Sequence, residues 1–342
     1  MKLNILDSIP DGFLDTVPEE MYKILDGPSL IQIEGEPGPP LFLATLLHGN
    51  ESTGIQAIQK VIKFYNENGM RLPKPLNILV GNVEAARTKE RHLEHQPDYN
   101  RIWNGGDLKE NKFAQEVISL VKNSGPFASI DIHNTSGQNP HYSCVNKLDA
   151  PFINLANLFS ETLVYFTRPK EVLSNAMAEF CPSITIEAGQ PGDPSGIQHV
   201  YEFLKKCLRL EKIPLDWKGQ YDPQVYHTIA RVRVPPESKI GFGDDSQDKD
   251  FCFIEKLDQK NFHELPANSL IGWRSNPDMK LSVINESDEE IESDIFDYVE
   301  KEIRLKRSVV PSMFTTNENI VHQDCLGYFM ERFAIDSNNR SI

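Results

Sequence analysis

The sequence predicts an α/β fold in which a mixed, mostly parallel sheet is flanked by helices and followed by a smaller β-rich C-terminal domain. Through about residue 212, short β-like runs alternate with amphipathic helical patterns, as in chains built from βαβ units. After "EKIPLDWKGQYDP" the texture changes to short alternating runs such as "HTIARVRV", "FCFIEKL" and "GYFMERF", separated by Gly, Pro and Asp clusters. A chain of 342 residues also suits two domains better than one, at roughly 150 residues each. The expected division is residues 1–212 and 213–342.

Taken in order, Phe42 to Leu47 reads as a buried strand. The stretch after it places Ile55, Ile58, Ile62 and Tyr65 on one helical face, with Ser52 as the expected cap. "NILVGN" (77–82) is the next strand. Residues 83–110 form a long polar segment without a good period, which in a compact domain is usually functional or mobile. Helix "KFAQEVISLVKN" and strand "ASIDIH" (128–133) follow. Next come a helix around "INLANLFSETL", strand "LVYFT", strand "SITIE" (183–187) and helix "GIQHVYEFLKKCLRL". In the second domain the acidic "SDEEIESDIFDYVEKEIRLK" carries Ile291, Ile295, Val299 and Ile303 at helical spacing, which predicts an amphipathic helix with a solvated acidic face.

Composition narrows the function classes. With 39% hydrophobic and 25% charged residues the chain reads as a soluble globular protein. Its net charge of -15 and lack of a Lys/Arg cluster argue against a nucleic-acid partner. Five widely spaced cysteines with no CxxC pair suggest reduced thiols rather than a disulfide framework. The N-terminus lacks the apolar core of a signal peptide, and no apolar run approaches a membrane span. The expectation is a cytoplasmic protein with no membrane partner; homo-oligomerisation is left open.

The candidate chemistry lies at strand ends. Three predicted strands stop on His48, His133 and Glu187, and side chains at the carboxyl ends of neighbouring strands in an open α/β sheet converge on one crevice. Glu51, three residues past His48, falls in the first helical turn and can point back into it. Two imidazoles and a carboxylate with one position open form a ligand set for catalytic zinc. A second carboxylate, free of the metal, is then needed to take a proton from water, and Glu187 fits that need. HxxE alone decides little: His199 and Glu202 repeat the spacing inside a predicted helix with no strand end beside them. "HLEH" (92–95) lies in an irregular loop, and His141 and His322 merely precede cysteines by three residues.

"HGNESTG", "DYNRIW", "DIHNTSG" and "ITIEAG", in this order over roughly residues 40 to 200, resemble the zinc carboxypeptidase superfamily, specifically its succinylglutamate desuccinylase/aspartoacylase branch. The resemblance implies a zinc carboxypeptidase-like fold and one Zn2+ per chain, held by His48, Glu51 and His133. Glu187 is then the general base for a zinc-activated water and the donor to the leaving amine. It further implies that Asn100 and Arg101 hold a substrate carboxylate, as an Arg fork does with two parallel hydrogen bonds. Arg91 would stabilise the oxyanion, with Arg87 as its substitute, and Asn134 would line the pocket. Losing such an oxyanion donor costs on the order of a hundredfold in rate. The β-rich domain would be a cap that narrows the entrance to small molecules.

The implied reaction is hydrolysis of the amide bond of a small N-acylated amino acid. The sequence departs from aspartoacylases, which place a Tyr and an Arg shortly before the base glutamate; "SNAMAEFCPSITIE" has neither. Arg168 is the only arginine between Arg101 and Arg209 and so leads for a second anionic group, with Lys170 behind it. The alternatives are a metallocarboxypeptidase acting on short peptides and a non-catalytic zinc-containing binding protein. Retention of Glu187, which binds no metal in this scheme, argues against the latter.

Overall fold

The computed structural model describes residues 2–216, 223–243 and 248–334. Residues 217–222 of the predicted linker lie outside the described residues. The chain forms two compact units, one comprising residues up to Asn134 with His141–Gln224, the other Thr135–Pro140 with Val225–Ala334.

In chain order the first unit holds β1 (Asn4–Leu6), β2 (Ser29–Ile33), β3 (Leu41–Thr45), α1 (Thr53–Glu67), β4 (Leu76–Val80), α2 (Val83–Thr88) and α3 (Lys109–Asn123). It continues with β5 (Ala128–His133), β6 (Tyr142–Val145), α4 (Ala150–Asn157), β7 (Thr162–Tyr165), α5 (Leu173–Met177), β8 (Ser183–Glu187) and α6 (Pro194–Arg209). Its strands lie in the order β1-β2-β4-β3-β5-β8-β6-β7. The central β4, β3, β5 and β8 are mutually parallel, whereas β2 and β6 run antiparallel to their neighbours β4 and β8.

Those four central strands are buried along their whole length, which is why they read as nearly continuous apolar runs. Alternation then divides their side chains between two helical layers. Leu41 and Leu43 surround one apolar space with Ile58 and Val61 of α1 and Leu204 and Leu208 of α6. Phe42 and Ala44 join Phe113, Val117 and Val121 of α3 and Leu173 of α5 on the opposite face.

The second unit contains β9 (Gln224–Arg233), β10 (Ile240–Phe242), β11 (Phe251–Phe253), β12 (Leu270–Arg274), β13 (Ser282–Asn285) and α7 (Glu292–Ile295). After these come β14 (Phe296–Val299), β15 (Glu302–Leu305), β16 (Val310–Ser312), α8 (Glu318–Gln323) and β17 (Gly327–Phe333). β17 pairs with both β9 and β16, and β13 with β9. β10-β11-β12-β15-β14 form a separate five-stranded sheet. Phe253, Ile271, Val283, Phe296, Ile303 and Phe329 are among the side chains of its core.

The acidic stretch is not the single helix its spacing predicts. One turn, α7, gives way to a hairpin in which Val299 faces Glu302 across Glu300 and Lys301, with Glu300 in the left-handed region at φ 57°. Ile295, Phe296, Ile303 and Leu305 are buried while Val299 is half exposed, so the pattern that decides is local alternation within each strand. Helix α4 likewise starts earlier and stops sooner than predicted, and β1, β2 and β6 are strands that the sequence reading did not include. β3 ends at Thr45, two residues short of expectation, because Leu46 turns the chain at φ 53°.

The first turn of α1 presses on the sheet: a Cβ on Gly54 would sit 2.4 Å from Thr45 Oγ1 and 3.0 Å from Ile132. Gly54→Ala should therefore lower stability by about 1–3 kcal/mol through overpacking, although Ala is the better helix former. A urea-denaturation midpoint that is unchanged or raised would show that α1 does not set this spacing.

Candidate metal centre

The turn that follows β3 carries His48 and Glu51 against the ends of β5 and β8. His133 is the last residue of β5 and Glu187 the last of β8, and the parallel register pairs them directly. Gly49 is fixed by close approach, since a Cβ there would overlap the Ala85–Ala86 backbone of α2 at 2.2 Å. Its N–H donates to the carbonyl of Arg91, so the turn is tied to the irregular segment after α2.

Glu51 bridges the two imidazoles. Its Oε1 accepts from His48 Nδ1 at 2.8 Å and its Oε2 from His133 Nδ1 at 2.7 Å. The Asn134 N–H donates to the same Oε2. All three side chains are buried, and one donor atom from each falls within 4.8 Å of the others. Among the described residues this is the one such group of three able to hold a metal ion. Each imidazole is also backed by an acid: His48 Nε2 lies 3.0 Å from Asp98 Oδ1, and His133 Nε2 lies 3.0 Å from Asp131 Oδ2. A hydrogen-bonded carboxylate such as Asp98 orients a metal-binding histidine and raises its basicity, whereas Asp131 stands at ion-pair distance from His133 without a hydrogen bond. The donor set and its backing both fit a divalent metal.

Charge is distributed to match. Burial works to raise the Glu51 carboxyl, but the imidazoles of His48 and His133 outweigh it and hold the group well below the usual carboxylate range. Burial works to lower the His133 pKa, yet Asp131 and Glu51 carry it well above the ordinary value. Asp98 is held low against its burial by Arg91, His48 and Arg101. Glu187 goes the other way. Burial pushes its carboxyl well above normal, with Glu51 and Asp131 adding to the rise and His133 and Arg91 opposing it. Its Oε2 is buried without a hydrogen-bond partner.

The remaining predicted site residues divide into groups. Arg91 donates from Nε and Nη2 to Asp98 Oδ2 at 3.0 and 2.8 Å and is near enough to act on Glu187. Arg87 instead lies over the Tyr22 ring, 4.9 Å from its centroid. Arg101 acts on Asp98 and donates to the Asn100 carbonyl. The Asn100 side chain accepts from the Leu173 N–H through Oδ1, with Nδ2 3.2 Å from His133 Nε2; it braces the loop beside the histidine. Arg168, half-buried, lies on the loop between β7 and α5.

Asn134 is hydrogen-bonded through its whole amide: its Nδ2 donates to Thr53 Oγ1 and the Gly189 carbonyl, and its Oδ1 accepts from the Thr53 N–H. These bonds clamp α1 to the turn after β8 beside the site. The amide also takes the place of the predicted Ser52 cap, whose side chain makes no capping bond. His199 donates from Nε2 to the Phe159 carbonyl and packs on His141 and Phe159, so its HxxE spacing serves packing. Asp98 and Asp131 are the functional residues that motif reading missed. Period-2 alternation in "DIH" places Asp131 on the face of His133, a signal that was available; nothing in the spacing pairs Asp98 with His48.

Residues 37–209 match the family model described as the succinylglutamate desuccinylase/aspartoacylase catalytic domain. No curated protein sequence matches the chain. Among solved structures, succinylglutamate desuccinylase from Vibrio cholerae is similar with a TM-score of 0.58, covering 94% of this chain and 96% of that one at 13% identity. Murine aminoacylase 3 gives 0.55 over 87% and 97% at 15% identity. The desuccinylase from Vibrio parahaemolyticus gives 0.57 over 89% and 86% at 13% identity. At such identities the likeness establishes the fold. No helix among the described residues is long and apolar enough to cross a membrane.

A metal bound at His133 must displace the Nδ1 proton, and Asp131 and Glu51 raise the pKa of that imidazole. Proton competition therefore grows as pH falls through the raised value, and binding near neutrality releases protons. Calorimetric zinc titrations in buffers of different ionisation enthalpy should show affinity falling with pH and a net proton release. Affinity independent of pH would contradict this.

Proposed function

Because the chain belongs to the succinylglutamate desuccinylase/aspartoacylase family, we propose that it is a zinc-dependent amidohydrolase cleaving the amide bond of a small N-acylated amino acid. One observation carries this reading: a buried His–Glu–His donor set meets a buried, unpartnered carboxylate oxygen of Glu187 at the ends of two adjacent parallel strands. His48, Glu51 and His133 hold the metal. When bound, zinc supplies Lewis acidity that polarises a carbonyl and makes water nucleophilic near neutral pH.

The chain's own groups do the rest. Glu187 takes the proton of the attacking water and delivers it to the departing amine nitrogen. A carboxyl raised by burial is suited to both steps, because general acid–base catalysis works best when the pKa approaches the operating pH. Arg91 offers a positive charge to the oxygen on which negative charge develops, and the Asp98 carboxylate keeps its guanidinium oriented. Arg101 and Asn100 take the substrate carboxylate, Asn100 also bracing the loop through the Leu173 N–H, and Asn134 lines the pocket. Arg168 leads for a second anionic group and Lys170 follows. The lack of a Tyr and an Arg in "SNAMAEFCPSITIE" disfavours N-acetylaspartate and puts the desuccinylase type ahead.

Glu187→Gln should lower turnover by about 10²–10⁴-fold while zinc stoichiometry stays intact, and His133→Ala should release the metal. Amine release from N-succinyl, N-acetyl and N-formyl amino acids, with short peptides alongside, measures the first. Elemental analysis measures the second. Zinc loss from Glu187→Gln would move Glu187 into the ligand set, and turnover of peptides alone would replace the deacylase reading with a carboxypeptidase.

A further inference from the structure

Asp98 stands at a junction. Its Oδ1 accepts from His48 Nε2 at 3.0 Å and from the Asn100 N–H at 2.7 Å. Its Oδ2 takes both the Nε and the Nη2 of Arg91. One carboxylate thus supports a metal-competent imidazole with one oxygen and a cationic side chain of the same site with the other. The arrangement is largely shielded from water, the side chains of His48, Arg91 and Asp98 being 3%, 10% and 12% exposed. The backbone reinforces it, since the Gly49 N–H, next to His48, bonds to the Arg91 carbonyl.

Both partners draw on the same negative charge. A carboxylate hydrogen-bonded to the far nitrogen of an imidazole makes the near nitrogen a stronger metal ligand. A guanidinium held by two N–H donors on that carboxylate is a strong, charge-assisted competitor for its electron density. At this depth such charge pairs are weakly screened.

We propose that Asp98 is a positioning residue through which Arg91 tunes the metal affinity of His48, so that the arginine weakens metal binding by engaging Asp98. The inference rests on the metal reading of the His48–Glu51–His133 set. It assigns a cost to a well-oriented arginine: the Asp98 charge that fixes Arg91 is charge withheld from the imidazole. Ligands that draw Arg91 away from Asp98 strengthen the hold on the metal, and by linkage the metal strengthens them.

The test is Zn2+ affinity, by competition with a chromophoric chelator, of the full chain and of Arg91→Ala, Asp98→Asn and the double variant. Arg91→Ala should bind zinc about 3- to 10-fold more tightly, a gain that damage to the fold would not produce. Asp98→Asn should bind about 10- to 100-fold more weakly, the usual effect of removing such a partner. In the Asp98→Asn background, Arg91→Ala should change affinity less than about twofold, because the route between them is gone.

Equal tightening in both backgrounds would mean that Arg91 acts by direct repulsion of the cation and would overturn the proposal. Unchanged or weaker binding by Arg91→Ala would overturn it also, and that comparison stands even if Asp98→Asn does not fold. Failure of the unaltered protein to bind zinc at all would instead remove the function proposed above.

Discussion

The Glu51 carboxylate, shut away from solvent between two imidazoles, is the constraint on which the rest of the site depends. An isolated charge at that depth would cost several kcal/mol, and it is tolerable because His48 and His133 each approach one of its oxygens while the Asn134 N–H adds a third contact. Those contacts require three separate pieces of chain to meet. The turn after β3 brings Glu51 and His48, the end of β5 brings His133, and Asn134 continues into a clamp on α1 and the turn after β8. The parallel packing of β3 against β5 is what brings these pieces to the same end of the sheet.

Behind the imidazoles the same requirement recurs one step out. Asp131 reaches His133 because both lie on one face of β5, and Asp98 reaches His48 from a loop that lacks regular structure. That loop earns its length in this way: it carries Arg91, Asp98, Asn100 and Arg101, and it is pinned by the Gly49–Arg91 and Leu173–Asn100 hydrogen bonds. Glu187 is the exception to the pattern of paired charges. Its raised carboxyl and unpartnered oxygen are what the proton-transfer role proposed above requires.

The central strands and three of the four key side chains were legible in the sequence for one reason: a parallel strand buried on both faces is a short, nearly continuous apolar run, and a polar residue ending it stands out. "ASIDIH" and "SITIE" have the same limits in the structure as in the sequence reading. Glu51 was legible only through its spacing from His48. Less was legible where a long-range partner overrode a local signal. Ser52 looked like a cap, but Asn134, far away in sequence, supplies the bond. Ile291, Ile295, Val299 and Ile303 had helical spacing, but strand pairing with alternating burial prevailed over it. Arg91 and Arg87 could not be separated by spacing, whereas Asp98 and Tyr22 separate them in space.

If His48, Glu51 and His133 hold the metal proposed above, the Nδ1 atoms and the Glu51 carboxylate would meet it, because the Nε2 atoms are turned to Asp98 and Asp131. Anomalous scattering at the zinc edge from crystals of the metal-loaded protein tests this most directly. The expected result is one strong peak per chain touching those three groups, with Glu187 outside the ligand set. A peak bonded through Nε2, a peak elsewhere in the chain, or Glu187 among the ligands would contradict it.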